Sequence, residues 1–570
     1  MIAGMNIPLL SQLRFRLFLG ALVLLSLVLL FWQQYTRSEA LPWKHNAPHD
    51  IPKSGEGSKP SIIQVPPIPS IPATPSIPAI PSVSATPSTP SIPSIPSIPS
   101  IPSIPSIPSI PSILSIASAS SSFAEETSIQ PHSTLEVPSQ LLESISQASQ
   151  YFIDYPLKSS QFGELGKRLQ ILGRWIESIE ALSNNSRSKQ SIELLADIEK
   201  TALSLFPFLK NPLEPENTHV FTNLRKSYEH GSKGVVIPTG KGSFRFACHL
   251  ISNLRDVLRS KLPIQIAYAG DGDLPIEFRE FITKLAADVE TLDVLKTVND
   301  DSLELATDGW AIKPFVLLTS TFEQSMLLDA DAVLLQAPEV IFNNHSGYLE
   351  TGTLLFHDRL LWQGAFKERH QWWEKELEHH TPSPALAKSL VYNEGYAEEC
   401  DSGMVVMDKS RLQTFLGLLH VCWQNTLSVR KAFTYTMGYG DKESWWFGLE
   451  LSGANYTFEE HYGAVLGEIR GEGKKTKVCG FTIAHTDDKD NLLWYNGSLL
   501  KNKAVNVTLF DVPTHFMIDA TWEKGATKPD MSCMRDGKAQ TVSREETEII
   551  QASVNNAKKI DEKIAEAKLA

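Results

Sequence analysis

Ser325-Met326-Leu327-Leu328-Asp329-Ala330-Asp331-Ala332-Val333 is an apolar run that stops at two carboxylates spaced i, i+2. On a continuing strand the two acids would share a face, but at a strand end entering a turn they can converge on one cation. A hard divalent cation takes oxygen ligands, and a nucleotide diphosphate leaving group needs its charge neutralised as a sugar departs. The spacing is the Asp-x-Asp arrangement of sugar transfer. The pattern is short, and most occurrences are solvated turns, so its surroundings decide the reading.

Working outward, Gly234-Val235-Val236-Ile237-Pro238-Thr239-Gly240 reads as a β-branched strand entering a turn. A helical pattern follows from Phe244 to Leu258, then a strand from Ile264 to Ala269, then Gly270-Asp271-Gly272-Asp273. Strand, helix, strand implies a parallel sheet with crossover helices, whose ligands bind at the carboxyl ends of the strands. The fold class is therefore α/β, with Asp329 ending a later strand of the same sheet. Asp271 and Asp273 form a second Asp-x-Asp, but Gly272 marks a turn and no buried run leads into it.

The start of the chain carries Arg14 and Arg16, then an apolar run from Leu17 to Trp32 broken only by Ser26. This reads as a cytoplasmic tail (1–16) and an uncleaved signal anchor (17–35), with the remainder lumenal. Ile-Pro-Ser triplets dominate from about Leu41 to Ser122, within the stem expected at 36–130. A proline at every third position fixes φ and removes donors, which predicts a disordered, extended polyproline II stem. Helical spacing returns with Leu165, Leu169, Leu172, Trp175, Ile176 and Ile179, so 131–220 is expected to form a helical neck packed on the next domain. The expected catalytic domain is 221–525, followed by a charged, helix-prone, peripheral tail at 526–570.

Cys248, Cys400, Cys422, Cys479 and Cys533 would lie in an oxidising lumen, where an odd number leaves at least one unpaired within the chain. Asn-x-Ser/Thr sites begin at Asn184, Asn344, Asn455, Asn496 and Asn506. The net charge of −13 argues against a nucleic-acid partner.

Four segments together resemble the fungal Golgi α-1,3-mannosyltransferases. They are Gly234–Gly240 with Leu254-Arg255 and Leu262–Asp271; Lys313–Asp331; Thr351-Gly-Thr-Leu-Leu-Phe-His-Asp358-Arg359; and Asp401-Ser-Gly-Met-Val-Val-Met-Asp408-Lys409-Ser-Arg411. The resemblance covers roughly 220–520 and implies a GT-A type nucleotide-sugar fold with a mixed, largely parallel sheet. It also implies GDP-mannose as donor, Mn2+ as metal, retention of configuration, and mannose-ended N- or O-linked glycans of glycoproteins as acceptors. The location implied is the Golgi membrane, as a single-pass type II protein, alone or in an oligomer. Alternatives within reach of the same residues are an α-1,2-mannosyltransferase and a non-catalytic subunit of a mannan-synthesising complex.

Within that expectation Asp329 and Asp331 are metal ligands, and His485 resembles the late third ligand of glycogenin-like retaining transferases. Asp441 and Glu443, in Gly440-Asp-Lys-Glu-Ser-Trp-Trp446, stand beside indoles as the wall of a sugar site, and Asp401 is the other acid near the sugar. All three acids are candidate nucleophiles, although a front-face mechanism needs none. Thr239 and Gly240 are expected against the guanosine or its ribose, and Arg245 and Lys313 against phosphate.

Overall fold

The computed structural model describes residues 139–182, 189–210 and 217–569. The expected tail, anchor and stem, and the sequon at Asn184, lie outside the described residues. Among the described residues no helix is long and apolar enough to cross a membrane.

In chain order the first strands are β1 (Glu229–Pro238), β2 (Ile264–Tyr268), β3 (Val289–Asp293), β4 (Phe322–Leu328), β5 (Ala332–Leu334), β6 (Thr353–Leu355), β7 (Met404–Asp408) and β8 (Thr457–Phe458). All but β5 form one sheet in the order β3-β2-β1-β4-β7-β6-β8. β1 pairs with β2 and β4 in parallel, β2 with β3 in parallel, and β6 with β8 in parallel. β7 alone is reversed, antiparallel to both β4 and β6. The sheet is thus mixed and largely parallel, and its inner strands β2 and β4 are buried along almost their whole length, polar residues included, because both faces are covered.

A second sheet crosses the carboxyl end of the first. It contains β9 (Ala464–Arg470), β10 (Lys477–Thr486), β11 (Leu492–Asn496), β14 (His515–Met517), β15 (Thr521–Glu523), β16 (Ser532–Arg535) and β17 (Gln540–Thr541), with β5 joined to it through β11. The pair β12 (Leu500–Asn502) and β13 (Asn506–Phe510) forms a separate hairpin. Because β5 follows β4 after only three residues, the Asp329-Ala330-Asp331 turn is where the chain passes from one sheet to the other.

The helices that build the core and the site are α1 (Ser139–Asp154), α2 (Phe162–Leu182), α3 (Lys189–Leu205), α4 (Phe244–Ser252), α5 (Ile312–Thr319), α6 (Leu412–Gln424), α7 (Lys442–Ser452) and α8 (Arg544–Glu566). The first three fall in the stretch expected as a neck and share one apolar core with α5, α6 and α7. Phe162 shows why: its fully buried ring meets Trp372, Trp423, Phe433 and Phe447. A Cβ on Gly166 would lie 2.3 Å from the carbonyl oxygen of Leu451, so the missing side chain lets α2 seat directly on the end of α7. Truncation of Phe162 to Ala is worth roughly 3–5 kcal/mol on the usual scale for buried aromatics. Position 220 is therefore not a packing boundary.

The boundary at 525 is also corrected. β16 pairs with β10, where Cys479 and Cys533 stand opposite each other in a disulfide. Cys248, Cys400 and Cys422 are free and buried. α8 opens with a capping box, Ser543 with Glu546. It then buries Ile550, Val554 and Ala557 against the second sheet and Ile560 and Ile564 against the core of the first. The tail is integral because its apolar positions fall on one helical stripe.

Candidate active site

Backbone pairing brings the acids together. The amide of Asp329 donates to the carbonyl of Gly403 at 2.8 Å, which ties the end of β4 to the approach of β7. Beyond the ends of β6 and β7 the two strands continue side by side: Asp401 N donates to Phe356 O and Asp358 N to Glu399 O, each at 2.8 Å. The amide of Ser498, just past β11, donates to Asp331 O at 2.7 Å. Four distant segments thus meet at the carboxyl end of β4, where sheet topology places ligands.

Lys313, in the first turn of α5, is buried among them. Its ammonium stands 2.7 Å from Asp329 Oδ1 and 3.7 Å from Asp441 Oδ1, and donates to Ser402 O and Oγ at 3.1 Å. Burial pulls its proton affinity down, but Asp329 and Asp441 outweigh this and the net shift is upward. Asp441 accepts from Ser402 Oγ at 3.1 Å and from the indole N–H of Trp445 at 2.8 Å. Its burial raises its pKa, with Lys313 opposing. Lys313 was expected at a phosphate; here it bridges two acids.

Asp331 is met from the hairpin side by the ammonium of Lys503, between β12 and β13. Burial lowers the Lys503 pKa, opposed by Asp329. Each acid of the Asp-x-Asp turn therefore faces one lysine. Among the described residues no group of three or more His, Cys, Asp or Glu is gathered to hold a metal ion. The donor set that exists, two carboxylates at a strand end whose charge is met by ammonium groups, fits a cation that takes its remaining oxygens from elsewhere, as divalent ions beside phosphates do.

His485, expected as the third ligand, is held here by another acid. It is buried in β10, stacked on Trp494 at 4.4 Å, and its Nε2 lies 3.1 Å from Asp401 Oδ2. Asn496 Nδ2 and the amide of Gly403 donate to the other oxygen of Asp401, each at 3.1 Å. Burial opposes ionisation of Asp401, yet the hydrogen bond from His485 and the charge of Lys442 hold its pKa well below the carboxylate range. The use of the Asn496 amide here also removes that sequon from simple surface display, whereas Asn344, Asn455 and Asn506 are exposed.

The indoles expected to wall a sugar site do not. Trp445 and Trp446 are buried in the core, and they reach the acids only through their N–H groups. Glu443 accepts from Trp446 Nε1 at 2.8 Å and from the amide of Glu399 at 2.9 Å, and burial pushes its carboxyl up to about 7. It supports the 399–401 segment from behind. Arg245 is likewise corrected: it forks onto Asp561 of α8 at 2.7 Å through Nε and Nη2, so it holds the tail helix. Thr239 is buried with its hydroxyl donating to Ile237 O, and Gly240 lies at the strand end, where a Cβ would fall 2.2 Å from Asp273 Oδ1.

The His357-Asp358-Arg359 triplet of the third family-like segment completes the cluster. Asp358 is ion-paired with Lys442 and, at 3.1 Å, with Arg359. His357 is sandwiched between Phe458 and Tyr462, at 4.2 and 4.1 Å, with Nδ1 2.7 Å from Glu399. The signal for Lys503 was only its position shortly after Asn496-Gly-Ser.

A family profile described as "Mannosyltransferase putative" matches residues 232–487. The "Putative alpha-1,3-mannosyltransferase MNN13" of Candida albicans is 26% identical over 328 residues, covering 49% of this chain and 41% of that protein. "Alpha-1,3-mannosyltransferase MNT3" of Saccharomyces cerevisiae is 28% identical over 285 residues, covering 44% of each. The chain thus spans less than half the length of these two curated relatives. Among solved structures, the mannosyltransferase Ktr4p from S. cerevisiae aligns with 40% of this chain and 68% of its own, at 11% identity and a TM-score of 0.29, a likeness too slight to carry an argument. On the sequence matches, residues 232–487 of this chain are similar to the mannosyltransferase family.

Proposed function

We propose that the chain is a mannosyltransferase that moves mannose from GDP-mannose to a mannose-ended glycan, in α-1,3 linkage and with retention. The observation that carries this is the placement of Asp329 and Asp331 at the end of a buried strand of a mixed sheet, with Lys313 joining Asp329 to Asp441. The names of the sequence relatives support the linkage. The strand order, with one reversed strand among parallel ones, is in keeping with a GT-A type fold. The basic, apolar N-terminal pattern supports a type II anchor in the Golgi membrane with this region lumenal.

Asp329 and Asp331 would hold a divalent cation, Mn2+ in this reading, which when bound supplies neutralisation of the diphosphate charge. Lys313 and Lys503 add fixed positive charge on the same side. Asp401 and Asp441 are kept in place by His485, Asn496, Ser402 and Trp445, so negative charge is already oriented where a sugar cation would develop. Both oxygens of Asp401, of Asp441 and of Glu443 already accept hydrogen bonds. That engagement supports a front-face transfer over a double displacement, which needs a carboxylate oxygen free to attack.

The test is Mn2+-dependent transfer from GDP-mannose to α-mannobiose by the full chain, with product linkage analysis. Transfer that is lost with chelator and in Asp329→Ala is the expected result. A folded chain that consumes no GDP-mannose under any cation overturns the reading.

A further inference from the structure

Two large aromatic side chains stand at the rim of the acid cluster without being needed by any core. Trp310 is 44% exposed and Tyr439 is 62% exposed, and their rings lie 5.1 Å apart at 53°. Each is carried by a segment that also carries a residue of the cluster. Trp310 O accepts from the amide of Lys313, and Tyr439 is separated from Asp441 only by Gly440. The rings are braced. Tyr435 meets Trp310 edge-on at 6.2 Å, with its hydroxyl donating to Asn425. Gly440 has φ +68°, and a Cβ there would sit 2.8 Å from Trp310 Cδ2, so the indole lies against bare backbone.

Fixed, exposed aromatic rings beside carboxylates suit a pyranose. The ring face of a sugar is apolar and stacks on indole or phenol, while its hydroxyls donate to acids. The charge around the pair selects among ligands. The amide of Trp310 donates to Asp308, the amide of Tyr439 to Glu398, and Asp441 follows. Arg430 meets Asp308 at 3.1 Å and Lys313 faces Asp441 at 3.7 Å, so the carboxylates beside the platform are charge-balanced and a neutral sugar is the fitting occupant. The lysine that meets Asp331, by contrast, arrives from the hairpin side.

We infer that Trp310 and Tyr439 form an acceptor subsite that stacks a neutral mannose unit of the glycan receiving the transferred sugar. This rests on the transferase reading for its name as an acceptor site. The binding itself is testable without catalysis.

The experiment is calorimetric titration of the full chain with α-mannobiose, with and without GDP-mannose, for the wild type, Trp310→Ala, Trp310→Phe and Tyr439→Ala. Trp310→Ala is expected to weaken binding about tenfold and Tyr439→Ala about fivefold, while Trp310→Phe stays within about threefold. Urea unfolding midpoints of the three variants, measured alongside, report that they are folded. Wild-type chain that does not bind α-mannobiose under either condition, or equal affinity in wild type and Trp310→Ala, overturns the subsite. Binding that follows the expected order with no transfer would leave the subsite standing and remove the transferase reading instead.

Discussion

The ammonium of Lys313 lies between the carboxylates of Asp329 and Asp441, 2.7 Å from the first and 3.7 Å from the second. A buried acid, Asp441, and a half-buried one, Asp329, on either side of one cation would repel if it were removed, and one would have to take up a proton.

Lys313→Met is therefore expected to lower unfolding stability by about 3 kcal/mol, the usual scale for breaking a buried pair from one side. Combining it with Asp441→Asn should recover part of the loss, because the second change removes the unpaired charge. Urea unfolding of both variants checks this. Additive losses would mean that the two side chains do not share an interaction.

The contact between Lys503 and Asp331 leads to a prediction about cation affinity. If the ammonium competes with the divalent ion for the same carboxylate, Lys503→Ala should tighten Mn2+ binding by about threefold. Asp331→Asn should weaken it severely. Free Mn2+ measured by electron paramagnetic resonance in the absence of donor is the readout. Tighter binding in neither variant, or unchanged binding in Asp331→Asn, would count against the turn as the cation site.

His485 separates two roles that sequence spacing left merged. As a partner of Asp401 rather than a ligand, it should affect turnover and not the cation. His485→Ala is expected to reduce transfer by about 100-fold, in the range of a lost positioning contact, with Mn2+ affinity within about twofold of wild type. A loss of Mn2+ affinity as large as in Asp329→Ala would restore His485 to the metal.

What was legible in the sequence follows from the range of the interaction that decides it. The buried run ending at Asp329 and Asp331 is local, and it predicted β4 and the turn after it, though not that the turn leads into a second sheet. The strand, helix, strand order at 234–269 predicted the parallel arrangement of β1 and β2. Arg245 was misread because its partner, Asp561, lies 316 residues away. The Gly440–Trp446 segment was misread for a different reason. An indole beside an acid in sequence has the same local pattern whether it faces a cleft or the core, and here α7 turns Trp445 and Trp446 inward. The exposed indole at the rim, Trp310, follows Asp308-Gly309, an acid-aromatic spacing as local as that of Gly440–Trp446 and equally silent about which way the ring turns. The tail helix looked peripheral because its charged residues outnumber its apolar ones, although the stripe Ile550, Val554, Ala557, Ile560 and Ile564 was present.

The disulfide gives a prediction that depends only on chain connectivity. Cys479 and Cys533 are 54 residues apart, and closing a loop of that length in the unfolded chain is worth about 4 kcal/mol. The Cys479→Ser/Cys533→Ser double variant should lose stability on that scale in urea unfolding. Cys422→Ser should leave the disulfide intact by thiol counting, since Cys422 is free and buried. An unchanged unfolding midpoint in the double variant would show that the cross-link does not span the unfolding unit.

Glu443 and His420 set opposing pH dependences on stability. Burial raises the Glu443 carboxyl from its ordinary 4.5 to about 7, with Arg369 opposing. Between those values the folded chain keeps a proton that the unfolded chain has lost. Stability from this group is therefore full below about 4.5, falls as pH rises, and is flat above about 7. His420 is held down to about 4 by burial, against the carbonyl of Phe162, so it stays neutral when folded and costs stability as pH falls below 6.5. The two partly cancel in the wild type, which makes the difference between variants the useful quantity. Glu443→Gln removes only the first dependence, so its stability relative to wild type should improve by up to about 3 kcal/mol between pH 4.5 and pH 8. Urea midpoints at several pH values measure it, and parallel wild-type and variant profiles would show that Glu443 ionises in its ordinary range.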